Sequence, residues 1–287
     1  MSSHHMIAMD ASTRHDLVHM PRDAVAEFLA GVALMAGPAI MEEYGSHCVV
    51  RGKADESPVT AADENAEAII LTALRAQCLP IPIIAEESAA RGDLPAIDGG
   101  FILVDPLDGT REFITRNGEF TVNIALIREG VAIAGAVYAP ALGRLWYGGE
   151  RAFACQAPIG ASGVPEAGRR QIYARAPDPK ALVALASRSH LDSKTEAFLE
   201  RLRVTERRSV GSSLKFCTIA EGTADVYPRF APTMEWDTAA GDAVLRAAGG
   251  VVRSVEHGEL RYGKHGFLNG GFVAFGDHAC AAAAMGA

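Results

Sequence analysis

Nothing in this sequence pairs its cysteines. The five, Cys48, Cys78, Cys155, Cys217 and Cys280, are scattered, odd in number and form no C-x-x-C pair. Each stands in or near an apolar run, which reads as buried free thiols and argues against a disulfide framework or a zinc site. A basic stripe is also missing. Lys and Arg total 27 against 35 Asp and Glu, giving a formal net charge of −8, so a nucleic-acid polymer is not an expected partner. No apolar run reads as long enough to span a bilayer. The first twenty residues lack the basic start, apolar middle and small-residue cleavage site of a secretory signal. The expected location is the cytoplasm; peripheral association with the inner membrane is the alternative, with no transmembrane segment read in the sequence to support it. His4 and His5 fall in this stretch and read as part of a flexible tail over 1–20.

What the chain does have is apolar mass. Of its 287 residues, 49% are hydrophobic, enough for a large core in one domain or two joined lobes. Residues 21–45 read as a helix with Pro21 near its start, Gly45 past its end and a kink or break at Pro38. Residues 47–53 read as a strand, and 57–77 as a loop entering a helix with Thr60 as N-cap and Asp63 three positions on. Short buried strands are expected at 81–88 and 101–104. The runs at 120–127, 131–140 and 144–150 have the spacing of an antiparallel meander. The Gly- and Pro-rich stretch between 155 and 180 reads as a surface loop. It divides an N-terminal lobe (21–155) from a C-terminal lobe (156–287). In the second lobe strands are expected at 181–187, 204–210, 224–230 and 271–277. Helices are expected at 192–202, 212–222 and 235–250, the last entered at Asp237 and closed by Gly249 and Gly250. The alternation points to a layered α/β fold with mixed sheets.

The unusual feature is where the acids stand. Asp63, the pair Glu86 and Glu87, the pair Asp105 and Asp108, and the pair Glu235 and Asp237 all fall where an apolar segment ends or begins. A carboxylate beside a core is costly unless paired or bound to a cation, and the sequence places few Lys or Arg nearby. Converging carboxylates would repel and take up protons; a divalent cation removes that difficulty, and oxygen ligands favour Mg²⁺ over zinc. In "VDPLDGT" (104–110) a turn stiffened by Pro106 would bring Asp108 beside Asp105, with the Leu107 carbonyl facing the same ion. Gly109 would let a ligand approach the backbone, and Thr110 would open a short helix whose N–H groups suit a phosphate. Each cluster alone has a plain alternative. The 105–110 stretch could be a turn with a helix cap, Glu86 and Glu87 a solvated strand end, and Asp63 and Asp237 ordinary helix-start residues. Their joint occurrence favours a metal site.

"EES" (86–88), "VDPLDGT" (104–110) and "WDTAAGDAVLRAAGG" (236–250) resemble the three signature motifs of the inositol monophosphatase superfamily, a likeness running from about residue 24 to 277. Within it, "SPVTAAD" (57–63), "DGTREFITRNGEFTVNIALI" (108–127), "SRSH" (187–190), "GSSLKFC" (211–217) and "YPRFAPTMEWDTAAG" (227–241) resemble the bacterial 3'(2'),5'-bisphosphate nucleotidase branch. The resemblance implies an αβαβα sandwich with mixed, largely antiparallel sheets and a cofactor complement of two or three Mg²⁺ ions. It also implies lithium sensitivity and hydrolysis of the 3'-phosphate of adenosine 3',5'-bisphosphate to AMP. The metal would be held by Glu86, Asp105, Asp108, Asp237 and the Leu107 carbonyl. Asp63, Thr110 and Glu86 would orient the attacking water, and Leu107 to Thr110 with Asp237 would line the phosphate. Arg111 stands where the family commonly has Lys.

A second phosphate on the substrate would need its own cation. Lys215 is the first candidate, with Arg229 and Arg111 behind it, and a surface lysine on an amphipathic helix is the alternative. Ser212 and Ser213 would bind substrate or cap the helix. Arg116, Asn117 and Glu119 belong to the branch-like stretch, but a turn uses similar residues. Trp146 and Trp236 read as core, and His47, His190 and His257 as structural or surface residues. The glycines of "GDAVLRAAGG" close a helix instead of opening one, against a dinucleotide fingerprint. Two alternatives to the nucleotidase remain: an inositol or other sugar-phosphate phosphatase, and a non-catalytic phosphate-binding protein. The expected partner is a small phosphate ester, and the expected state a monomer or homodimer.

Overall fold

The computed structural model describes residues 14–46, 51–52, 58–178, 180–186 and 193–285. In chain order the elements begin α1 (Arg22–Gly45), β1 (Arg51–Gly52), β2 (Pro58–Val59), α2 (Ala61–Gln77), β3 (Ile83–Ala85), α3 (Glu86–Ala90), β4 (Gly100–Asp108) and α4 (Thr110–Ile114). There follow β5 (Thr121–Arg128), β6 (Val131–Ala139), β7 (Arg144–Gly148), β8 (Ala152–Gln156), β9 (Arg170–Ile172), β10 (Val183–Ala186), α5 (Ser193–Arg201), β11 (Glu206–Ser209) and α6 (Leu214–Ala220). The chain closes with β12 (Val226–Arg229), β13 (Thr233–Met234), α7 (Trp236–Ala247), β14 (Val251–Ser254), β15 (Gly258–Glu259), β16 (Leu268–Asn269), β17 (Phe272–Phe275) and α8 (His278–Met285).

These elements stack in alternating layers. A seven-stranded sheet runs β3-β4-β5-β6-β7-β8-β9, parallel only between β3 and β4. A six-stranded sheet runs β11-β10-β12-β17-β14-β15, parallel at β10–β11 and β10–β12 and antiparallel elsewhere. One core joins α1 and α2 to a face of the first sheet. A second fills the space between the sheets around α6 and α7, and a third lies under α5 and α8. Both faces of the central strands are therefore covered, which is why β5 and β6 read as continuous apolar runs instead of alternating ones. The layered α/β expectation, with largely antiparallel sheets, is borne out.

Four expectations change. Helix α1 continues through Pro38. Its burial against α2 and β6, with Val25, Leu29, Leu34 and Ile40 inside, outweighs the cost of about 3 kcal/mol that an interior proline carries. The same helix is long and apolar enough to cross a membrane by length and composition, contrary to the reading of the sequence. However, 56% of its most apolar window is buried inside the protein, as in a core helix. Residues 14–20 are not loose: Leu17 is buried, and His15 exchanges backbone hydrogen bonds with Gln77 and Leu79. Finally, the 155–180 stretch is not all loop, since β9 adds the outermost strand of the first sheet. Expectations for His4, His5, His47, Cys48 and His190, for residues 47–50 and for "SRSH" lie outside the described residues.

Candidate active site

The site gathers at the carboxyl end of β4, where the strand is irregular. Asp105 pairs with Asn123 and Asp108 with Thr121 on β5, so β4 carries one more residue than its partner between these pairs. This is a β-bulge, not the end of the strand: β4 runs on to Asp108. Pro106 sits inside the bulge, where a missing N–H is tolerated. The bulge folds Asp105 back on itself, its Oδ1 accepting the Leu107 N–H at 3.0 Å. Gly109 follows with φ +92° and starts α4 at Thr110. A side chain at 109 would be strained and would press on the Glu119 carbonyl and Ser212 Cβ, each at 3.3 Å.

Each remaining acid comes from a different element. Glu86 is the first residue of α3, immediately after β3. Glu67 on α2 anchors that helix by accepting the Glu87 N–H at 2.8 Å and the Ser88 hydroxyl at 2.7 Å. Asp237 is the second residue of α7, not its cap. Glu235 holds the cap position, and Asp237 Oδ2 accepts the Met234 N–H at 2.9 Å. Carboxylate oxygens of Glu86, Asp105 and Asp237 all lie within 4.8 Å of one another. Asp108 stands beside them, its Oδ2 held by the Ser213 N–H at 2.7 Å and by Asn123 at 3.4 Å.

The electrostatics show the cost of this arrangement. Burial, then the charges of Glu86, Asp108 and Asp237, push the Asp105 carboxyl well above its usual range. Burial, then Asp108 and Glu86, do the same to Asp237. Asp108 is also raised by burial, against the pull of Lys215 and the Ser213 hydrogen bonds. Lys215 is buried and pushed down to about 8 by desolvation, partly offset by Asp108. The converging donors are all oxygens, with no His or Cys among them. Such a set fits a hard divalent cation, which would relieve the mutual repulsion.

Beside the acids lies a hydroxyl pair built from the start of α2. Thr60 caps the helix with a capping box, and both its N–H and its hydroxyl donate to Asp63 Oδ2, at 2.8 and 2.6 Å. Asp63 Oδ1 is left facing Thr110, whose hydroxyl donates to it at 3.2 Å and approaches the Leu107 carbonyl at 3.5 Å. Asp63 thus joins the site through Thr110 and is not one of the three converging acids.

A cavity of about 200 Å³ opens over these groups. Its walls include Glu86, Asp105, Leu107 to Glu112, Ser212, Lys215, Arg229 and Asp237. The structure brings Glu86, Asp105, Leu107 to Thr110, Ser212, Lys215 and Asp237 to this wall, with Asp63 and Ser213 one hydrogen bond behind it. Glu87 and Glu235 do not join them, and Glu235 instead accepts the Gly263 and Lys264 N–H groups. Ser213 does not cap α6 with its side chain; its hydroxyl donates to the Asp237 carbonyl at 2.8 Å and accepts from Asn123 at 2.9 Å. Lys215 is not a surface lysine. Arg116 points away, donating to the Tyr44 and Ser46 carbonyls at the end of α1. Trp146 and Trp236 are buried in the core, as expected. Sequence reasoning missed Asn123, Thr121 and Glu67. For the first two the signal was present: apart from the closing Arg128, they are the polar residues in a strand otherwise apolar on both faces.

Fold and acid cluster together define a metal-dependent phosphatase of the layered α/β kind. The chain belongs to the inositol monophosphatase family, which its residues 22–284 match. It is 45% identical over 245 residues to the 3'(2'),5'-bisphosphate nucleotidase CysQ of Escherichia coli (strain K12), covering 84% of this chain and 95% of that one. The Salmonella typhimurium protein of the same name is 44% identical over 250 residues, 86% and 97% of the two chains. The crystal structure of CysQ from Bacteroides thetaiotaomicron superposes with a TM-score of 0.72 at 38% identity, over 90% of this chain and 98% of that one.

Proposed function

We propose that this protein is a Mg²⁺-dependent 3'(2'),5'-bisphosphate nucleotidase that removes the 3'-phosphate of adenosine 3',5'-bisphosphate to give AMP and phosphate. The observation that carries the reading is the convergence of Glu86, Asp105 and Asp237, with the Thr110–Asp63 pair at its edge. Glu86, Asp105, Asp108, Asp237 and the Leu107 carbonyl would hold two or three Mg²⁺ ions. Bound there, the metal neutralises phosphate charge and makes water a nucleophile at neutral pH. Phosphoryl transfer then asks the protein mainly for position and charge.

This chain's own residues supply the position. Asp63 has one oxygen occupied by Thr60 and the other by the Thr110 hydroxyl proton. With its proton committed to Asp63, the Thr110 oxygen offers a lone pair to the attacking water and turns that water's own lone pair toward phosphorus. The water's proton leaves through Thr110 toward Asp63. Glu86 steadies the same water from α3. Leu107 to Thr110 form the floor under the scissile phosphate. Ser212 and Lys215 line the cavity wall where the ribose and second phosphate would lie, with Arg229 and Arg111 as further cations. An intact set of acids together with Thr110 favours turnover over mere phosphate binding. The free thiols of Cys78, Cys155 and Cys217 fit a reducing cytoplasm.

Phosphate release from adenosine 3',5'-bisphosphate and from inositol 1-phosphate, measured side by side with Mg²⁺ and with EDTA, tests this reading. Mg²⁺-dependent release from the nucleotide is the expected result. A preference for inositol 1-phosphate would keep the mechanism and overturn the substrate.

A further inference from the structure

The two stretches that set the nucleotidase branch apart in the sequence, 108–127 and 211–217, touch each other at the cavity. The Gly211 N–H donates to Glu119 Oε2 at 2.9 Å across 92 residues of chain. The contact is close: a Cβ on Gly211 would lie 2.8 Å from the Glu119 carbonyl oxygen and 2.9 Å from Glu112 Cγ. Glycine is therefore required there by space. The next residue, Ser212, has φ +43°, a left-handed conformation that a serine adopts only when its neighbours hold it.

The turn is held at separate points. Ser213 is fixed from the metal side, by Asp108, Asn123 and the Asp237 carbonyl. The Lys215 ammonium donates to the Ser212 carbonyl at 2.6 Å and the Val210 carbonyl at 3.2 Å. Gly211 is fixed by Glu119. The anchors at Ser213 reach Asp108 and the Asp237 carbonyl directly, and the one at Gly211 does not. Glu119 governs the part of the turn that faces the cavity.

We propose that Glu119 is a positioning residue for substrate recognition: its carboxylate clamps the Gly211 N–H, and so sets the Ser212 turn and the Lys215 ammonium at the wall that receives the substrate beyond its scissile phosphate. The kinetic consequence rests on the nucleotidase reading; the clamp itself does not. Glu119 is half-buried, so its replacement spares the core.

The test compares wild type, Glu119→Ala and Glu119→Gln in the Mg²⁺-loaded protein. With adenosine 3',5'-bisphosphate, Glu119→Ala should raise KM about tenfold and leave kcat within about twofold. Glu119→Gln, whose amide oxygen still accepts the Gly211 N–H, should stay within about threefold of wild type in KM. Amide hydrogen exchange at Gly211 should be about tenfold faster in Glu119→Ala, with 105–110 unchanged. Unchanged exchange at Gly211, a loss confined to kcat, or a glutamine variant as damaged as the alanine one would overturn the proposal. If wild type releases no phosphate from the nucleotide while Gly211 exchange responds as expected, the substrate reading falls and the clamp stands.

Discussion

Two sets of buried carboxylates sit in this protein under opposite conditions. Asp225 accepts two hydrogen bonds from Arg175 and one from the Val183 N–H. Glu235 accepts the N–H groups of Gly263 and Lys264 and pairs with the Lys264 ammonium. Asp242 is met by Arg246 and the Tyr262 hydroxyl. In the other set, Asp105, Asp108 and Asp237 form no salt bridge among the described residues, and face one another and Glu86. The first set ties elements together: Asp225 joins the segment before β10 to the one before β12. The second is left under repulsion that a bound cation, or the uptake of protons, resolves. Burial alone does not separate structural from functional acids; the partners do.

Removing one acid from the repelling set should give the largest effect. Asp105→Asn keeps the shape and deletes a metal ligand, so phosphate release should fall by about 10⁴-fold. In the metal-free protein the same change relieves repulsion, and the melting temperature should hold or rise. A near-normal rate would dissolve the distinction between the two sets.

Next in size is Thr110→Val, which keeps the volume and removes the hydroxyl that reads Asp63. It should lower kcat by about 10²-fold, the scale of a lost proton-handling group, with Mg²⁺ affinity unchanged by calorimetry. A matching loss of metal affinity would make Thr110 part of the metal site instead.

The paired set should answer in the reverse sense. Asp225→Ala leaves the Val183 N–H and Arg175 without their acceptor. Because Arg175 is partly exposed, water replaces part of the pairing. Urea unfolding should show a loss of about 2 kcal/mol, about 30-fold in the folding equilibrium, with kcat of the folded protein within about twofold. A catalytic defect without destabilisation would contradict the structural role.

The smallest effect is the pH response of the metal-free protein. Asp105, Asp108 and Asp237 all have folded pKa values raised above the unfolded range. Below the unfolded carboxylate range the folded state holds these protons at no disadvantage. As pH rises through the folded values, each contribution is lost. In EDTA the melting temperature should therefore climb by a few degrees as pH falls from about 8 to about 5. Mg²⁺ should flatten that slope and raise the value at about pH 8. A melting temperature in EDTA that falls with falling pH would mean that these acids are not under strain.

How far the sequence could be read divides along similar lines. The start of α2 was legible to the residue: Thr60 and Asp63 form the capping box expected from their spacing. The meander and most of the larger helices and strands were legible from apolar runs; the short helix α3, read as the end of a strand over 81–88, and the terminal helix α8 were not. At Pro38, where a kink or a break was expected, there is no break: packing against α2 and β6 carries the helix through. The end of β4 misled because "DPLDG" carries turn chemistry. Only the pairing with β5, where Asp105 meets Asn123 and Asp108 meets Thr121, turns that chemistry into a bulge.

By itself the sequence determined which residue types stand where apolar segments end: Glu86 after β3, Asp105 and Asp108 within the bulge of β4, Asp237 in the first turn of α7. Those positions follow from local periodicity, and local periodicity is written in the chain. That Glu86, Asp105 and Asp237 meet within 4.8 Å, with Asp108 beside them, was decided by the stacking of α2, the first sheet and α7. So were the Asp63–Thr110 contact and the clamp of Glu119 on Gly211. Such contacts join residues from 19 (Glu86–Asp105) to 151 (Glu86–Asp237) positions apart, and no short-range pattern encodes a distance that only the packed layers define.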